Sequence, residues 1–159
     1  LRAEHVVWLD HGNLVGDDTD GHIDTIVRTA PENTLLYVGC DDSHDEQYED
    51  FLALEHQLMG LRTSTGMPYR LLRLPMPDAI YDEGERLPAT YANFLIINGA
   101  VICPTYAQPE KDKQALQTIA QAYPYREIIG IDARTVIKQH GSLHCLTMQF
   151  PQGVIANNP

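Results

Sequence analysis

The apolar and polar positions along the chain fall into short alternating blocks. Two runs near the start, "HVVWL" (5–9) and "HIDTIVR" (22–28), carry the β-branched and aromatic content of strands. A third, "TLLYVGC" (34–40), follows the turn-prone Pro31-Glu32-Asn33. A helix is predicted next: Ser43 with Glu46 fits a capping box, and Tyr48, Phe51, Leu52, Leu58 and Met59 recur at helical spacing. Gly60 or Gly66 is positioned to end it. "PYRLLRLPM" (68–76) reads as another strand, followed by a Pro-, Asp- and Gly-rich loop up to Pro88.

The second half repeats this order. "ANFLIIN" (92–98) and "AVICP" (100–104) flank Asn98-Gly99, a strong hairpin signal. A helix over about 110–122 puts Ala115, Leu116, Ile119 and Ala120 on one face, with Pro109 near its start. "REIIGID" (126–132) supplies the next strand. The pattern is therefore strand–strand–helix–strand, twice. A third unit is expected to begin at "LHCLTMQF", which alternates as a strand does, but the sequence stops at "PQGVIANNP". Two and a half units leave strand edges that need a partner.

At 159 residues, 43% hydrophobic and 21% charged, the composition is that of one ordinary globular domain. No apolar run approaches the roughly 18 residues of a membrane span, and no signal peptide pattern opens the chain. Leu1 stands where Met is usual, which reads as a piece of something longer. Cys40, Cys103 and Cys145 are widely spaced and form no C-x-x-C pair, so reduced thiols in a cytoplasmic protein are expected. A formal charge of −11 argues against nucleic acid and suits a small cationic ligand.

The densest chemistry lies in "GDDTDGHID" (16–24). An EF-hand would need an acidic first position and Glu at the twelfth. Aligned on Gly21, those positions hold Gly16 and Val27, so that reading fails. No histidine spacing supports zinc. In a strand, His22 and Asp24 share a face. They could then be metal ligands, a proton-transfer pair or a hydrogen-bonded surface pair. Cys145 follows His144 directly. In a strand those two side chains point apart, so any base for the thiol must come from elsewhere; otherwise Cys145, like Cys40 and Cys103, is an inert thiol.

Taken in order, "GDDTDGHID", "YANFLIINGAVICP" and "IKQHGSLHCLTMQ" resemble the agmatine deiminase and bacterial peptidylarginine deiminase family of guanidine-modifying enzymes, over its C-terminal part. The resemblance implies a cysteine hydrolase of guanidinium groups needing no metal or organic cofactor. Cys145 maps onto the nucleophile, His22 onto the proton shuttle and Asp24 onto the carboxylate that grips guanidinium nitrogens. The implied fold is α+β, a pentein built of five ββαβ modules, with residues 1–159 forming about half of the ring as one partial domain. Asp17, Asp18 and Asp20 then shape the loop and its negative field. Agmatine is the first expected substrate, with peptidyl or free arginine second.

Two departures from the family pattern stand out. Its glycine-rich run before the "HC" block reads "KQHGSLHC" here: Gly141 is kept, while His140 and Ser142 replace family residues. A second guanidinium-gripping carboxylate, supplied in the family by N-terminal modules, has no counterpart in this sequence. The chain is accordingly expected to be a fragment or truncated relative, inactive alone or acting as a non-catalytic guanidinium-binding domain. It would be completed by the missing modules or an oligomer partner, with no nucleic acid or membrane contact. Arg28, Arg62, Arg70, Arg73, Arg86, Arg126 and Arg134 are all candidates for a carboxylate-binding side chain, and sequence places none of them.

Overall fold

A computed structural model describes residues 5–18, 21–150 and 153–154; Asp20 and most of "PQGVIANNP" lie outside the described residues. Two ββαβ modules form the body. In the first, β1 (Val27–Ala30) pairs antiparallel with β2 (Thr34–Gly39), and α1 (Tyr48–Gly60) carries the chain over to β3 (Arg70–Pro75), parallel to β2. A short hairpin, β4 (Tyr81–Asp82) and β5 (Glu85–Arg86), interrupts the loop expected before Pro88. The second module repeats the topology. β6 (Leu95–Ile97) and β7 (Ala100–Thr105) are antiparallel across Asn98-Gly99, and α2 (Pro109–Ala122) leads to β8 (Glu127–Asp132), parallel to β7.

The central strands explain why the pattern was readable. A parallel pair needs a crossover, and the crossover helix buries the strand it covers. β2 is accordingly buried at all six positions, and its sequence is an almost continuous apolar run. Phe51, Leu54 and Leu58 of α1 face that sheet, while Ala115, Ile119 and Ala122 of α2 are buried in the second module. α2 also packs against β3, so the two modules share one core. Pro109 opens α2 at a position where its missing N–H costs nothing. Among the described residues no helix is long and apolar enough to cross a membrane.

Two expected strands are not formed, and a third is displaced into β1. Residues 5–9 carry no strand, and 22–26 hold the 3-10 turn Ile23–Thr25, with β1 starting only at Val27. "LHCLTMQF" contains the 3-10 turn His144–Leu146 and no strand, so no third module begins there. The capping box also fails, because α1 starts at Tyr48 with Gln47 as its N-cap.

The N-terminal segment obtains its backbone partners from side chains rather than from a ladder. Gln57 Oε1 accepts from the Asp10 N–H at 3.0 Å, and Gln57 Nε2 donates to the Trp8 carbonyl at 3.2 Å. Asp50 Oδ2 accepts from the N–H groups of Gly12 and Asn13 at 2.8 and 2.6 Å, and Gln47 Oε1 accepts from Val15 N–H at 2.7 Å. Residues 47, 50 and 57 thus form a polar edge of α1 and its N-cap that replaces a neighbouring strand.

Burial pushes the Asp50 pKa up, but the Asn13 and Gly12 N–H groups and His11 outweigh it and hold the value below 3.8. The carboxylate therefore stabilises the fold above its unfolded pKa, and this contribution disappears as pH falls through the depressed folded value. Asp50→Ala should lower unfolding free energy by about 2 kcal/mol. It should also hasten proteolytic cleavage within residues 8–18; urea denaturation and limited proteolysis at pH 7 check both.

Candidate active site

The segment from Thr90 to Phe94 runs through the interior between the two modules, and each of its five residues is fully buried. It is anchored from both sides. Thr90 Oγ1 donates to the Thr25 carbonyl at 2.6 Å, the Tyr91 hydroxyl donates to Asp112 at 2.7 Å, and the Tyr106 hydroxyl donates to the Thr90 carbonyl at 2.8 Å. A buried Asn in such a place must find partners for both its amide atoms. Asn93 finds them in two motifs far apart in sequence. Nδ2 donates to Asp24 Oδ2 at 2.8 Å, while Oδ1 accepts from the backbone N–H of His144 at 2.9 Å and of Cys145 at 3.3 Å.

This arrangement brings Asp24 and Cys145 together. Cys145 Sγ lies 3.8 Å from Asp24 Oδ2 and 3.5 Å from Asn93 Oδ1, and the thiol is exposed. Asp24 Oδ2 is also 2.7 Å from His144 Nδ1. Burial raises the Asp24 pKa, but the His144 hydrogen bond and charge, the Asn93 amide and the Arg28 charge together bring it below 3.8. An ionised carboxylate only accepts, so His144 Nδ1 carries the hydrogen. Asp24 Oδ1 makes no hydrogen bond among the described residues, leaving an acceptor beside the thiol.

The expectation that His144 and Cys145 must point apart is corrected, because it assumed a strand. In a 3-10 turn successive side chains are about 120° apart, and both reach the same carboxylate oxygen. His22 and Asp24 likewise do not share a strand face. His22 is the N-cap of the turn Ile23–Thr25, with its side chain exposed and its carbonyl accepting from Thr25 Oγ1 at 2.9 Å. Asp17 accepts from that same hydroxyl at 3.0 Å, which ties the acidic loop to the turn carrying Asp24.

Two glycines set the spacing. Gly16 has φ +87°, and a Cβ there would run into the Arg86 carbonyl oxygen. At Gly141 a Cβ would stand 3.1 Å from Cys145 Cβ and 3.5 Å from Sγ. His140, just before it, adopts φ 65°, a region that favours glycine, and its Nδ1 lies 2.9 Å from the Gly16 carbonyl. The two motif loops therefore touch directly. Ser142 is buried. The other thiols are withdrawn: burial raises Cys40, and raises Cys103 to about 12.

Asn93 and His144 were not identified from sequence, and Arg28 was one of seven candidate arginines that sequence could not place. Arg28, in β1, donates through Nη1 to the carbonyls of Ala92 (3.1 Å) and Phe94, the residues on either side of Asn93. Its guanidinium carbon sits 4.5 Å from the Phe94 ring centroid. The signal available for Asn93 was a single amide in the otherwise apolar "YANFLII", preceding a hairpin that needs no such residue.

Two repeated ββαβ modules with an exposed cysteine facing a buried-edge carboxylate define the class of protein: a modular α+β fold with a thiol–carboxylate site at the module junction. The chain belongs to the Porphyromonas-type peptidyl-arginine deiminase family, whose model matches residues 1–151. A Porphyromonas gingivalis protein provisionally named arginine deiminase has a crystal structure 57% identical in sequence. It superposes with a TM-score of 0.87 over 90% of this chain and 42% of that one. A cysteine-to-serine variant of C. jejuni agmatine deiminase with substrate bound is 42% identical, with a TM-score of 0.79 over 86% of this chain and 39% of that one. A provisionally named agmatine deiminase of Marinomonas sp. is 33% identical over 169 aligned residues, 96% of this chain and 45% of its own length. The chain thus spans about half the length of the curated relatives it matches.

Removing the Asn93 amide leaves several buried groups unpaired, so Asn93→Ala should cost about 2–4 kcal/mol of stability. It should also move the Asp24 carboxyl titration, followed by carbon NMR, upward toward 3.8. Gly141→Ala is expected to slow alkylation of Cys145 by iodoacetamide several-fold, with unfolding changed by less than about 1 kcal/mol; labelling followed by mass spectrometry reads the first effect.

Proposed function

We propose that this chain is the Cys145-bearing part of a deiminase that hydrolyses a guanidinium to a ureido group and ammonia, with agmatine, giving N-carbamoylputrescine, as its substrate. The supporting observation is the position of Cys145 Sγ 3.8 Å from Asp24 Oδ2, with Oδ1 turned to neither Asn93 nor His144. The enzyme names carried by the relatives agree with this reading. We read the two modules as the C-terminal part of a five-module pentein ring.

The chemistry follows from the charges. A guanidinium is planar and resonance-stabilised, so attack on its carbon needs a strong nucleophile held in line. Asp24 orients the cation through its nitrogens, and the bound cation offsets the repulsion between the carboxylate and a Cys145 thiolate. The thiolate adds to the carbon, His22 gives a proton to one nitrogen, and ammonia leaves as the carbon–nitrogen bond breaks. A covalent thiouronium remains on Cys145. His22 then takes a proton from water, the resulting hydroxide adds to the same carbon, and the carbon–sulfur bond breaks to release the thiolate and the ureido product, whose carbonyl forms as the hydroxyl proton passes to solvent. Each turnover consumes one water and releases one ammonia.

Agmatine is preferred over arginine because Arg28 is directed inward, to two carbonyls and a ring, rather than toward a substrate carboxylate. Peptidyl-arginine, which also lacks a free carboxylate at that position, is the second substrate. Chloroacetamidine, a cationic alkylating reagent, should label Cys145 in preference to neutral iodoacetamide, and Asp24→Asn should reduce that preference by about tenfold. Unchanged preference in the Asn variant would sink the carboxylate's role. Ammonia and ureido product assayed with agmatine, an arginyl peptide and arginine would rank the substrates, and Cys145→Ser should abolish every signal.

A further inference from the structure

Among the described residues three arginines are partly buried, and two are matched in the usual way. Arg73 pairs with Asp41 at 2.8 Å and Glu55 at 3.1 Å, and Arg86 with Asp45 at 2.7 Å and Glu46 at 3.1 Å. These carboxylates raise the pKa of both guanidinium groups despite burial. Arg28 is different. Among the described residues it has no carboxylate within 4.0 Å; its polar contacts are the carbonyls of Ala92 and Phe94. Burial lowers its pKa, opposed by the charges of Asp24, Tyr123 and Cys145.

A cation buried without an ion partner is costly, and this one stands beside a site that is to receive a cation. Such a placement weakens substrate binding unless it contributes elsewhere. The contacts show where. Arg28 grips the two carbonyls that bracket Asn93, and Asn93 holds both Asp24 and the backbone of Cys145. Phe94 lies under the guanidinium, with Tyr123 edge-on to Phe94 at 6.0 Å between ring centroids. Arg28 comes from the first module and Phe94 from the second, so the contact also spans the module junction.

We propose that Arg28 is the positioning residue of this site: it fixes Asn93 between Asp24 and Cys145 and supplies a fixed positive charge that favours the thiolate before substrate arrives. The proposal deepens the deiminase reading and rests on it for its catalytic meaning. The charged and titratable groups around Cys145 are Asp24, 3.8 Å from its sulfur, His144, hydrogen-bonded to Asp24, and Arg28, whose charge interacts with Asp24 and Cys145. A neutral residue at 28 makes the free thiol less reactive but removes a charge repelling the substrate.

The test uses Arg28→Lys, which keeps the charge, and Arg28→Gln, which keeps an amide donor toward the carbonyls without it. Thermal melting confirms folding of both. Iodoacetamide is neutral and needs no guanidinium pocket, so its rate at Cys145 at pH 7, with the loop around Gly141 unaltered, reports thiolate availability. The Gln variant should label about tenfold more slowly than the unaltered protein and the Lys variant within about threefold of it. Where agmatine is turned over, the Gln variant should lose kcat while KM falls. Equal labelling rates in folded Gln, Lys and unaltered proteins overturn the proposal. If Arg28→Gln does not fold, Arg28→Met is measured in its place with the same expectation, and loss of folding in both, with Lys also slow, assigns Arg28 a purely structural role and overturns it. Absence of turnover with the labelling difference intact overturns the deiminase reading and leaves the Arg28 role standing.

Discussion

Asn93 lies wholly inside the protein, and its two amide atoms are used in opposite directions, Nδ2 toward Asp24 and Oδ1 toward the N–H groups of His144 and Cys145. The two motifs it joins are separated by about 120 residues of chain. Neither motif has regular secondary structure to hold it, since each is a single 3-10 turn. Without the amide, the carboxylate and the backbone that carries the thiol would have no common reference. The fold therefore devotes its best-buried segment, Thr90–Phe94, to presenting one polar side chain.

The modules serve that presentation. β2 and β7 are central strands between an antiparallel and a parallel neighbour; β2 is buried throughout and β7 at four of its six positions. α2 packs on β3 as well as on β8, so the segment between the modules is clamped rather than hinged. Tyr91 and Tyr106 bring their hydroxyls to Asp112 and Thr90 within this clamp, with rings edge to face at 5.3 Å. The site lies at the junction, where loops from both modules reach the same point.

Charge at that junction is balanced rather than neutral. Asp24 is held ionised against burial by His144, Asn93 and Arg28, and an exposed thiol stands next to it. A carboxylate and a thiolate this close would repel one another. Burial of Cys103 keeps that thiol protonated.

Much of this was legible in the sequence. The two ββαβ units, the Asn98-Gly99 hairpin and the helix beginning at Pro109 follow from apolar runs, turn residues and helical spacing, all of which are local. The residues Asp24, His22 and Cys145 were identified through family motifs. What local pattern could not supply was the conformation of the segments that carry them. Residues 5–9, 22–26 and 143–150 have strand-like composition, yet the Trp8 and Asp24 carbonyls accept from Gln57 and Asn93, and the His144 and Cys145 N–H groups donate to Asn93, side chains distant in sequence. A backbone takes whichever partner it meets first in the folded state, and periodicity carries no record of a partner 40 or more residues away. The sequence by itself determined the two modules and singled out His22, Asp24 and Cys145 as candidates. Tertiary structure alone decided that His144 and Cys145 converge on one oxygen, that Asn93 joins them, and that Arg28 stands behind it.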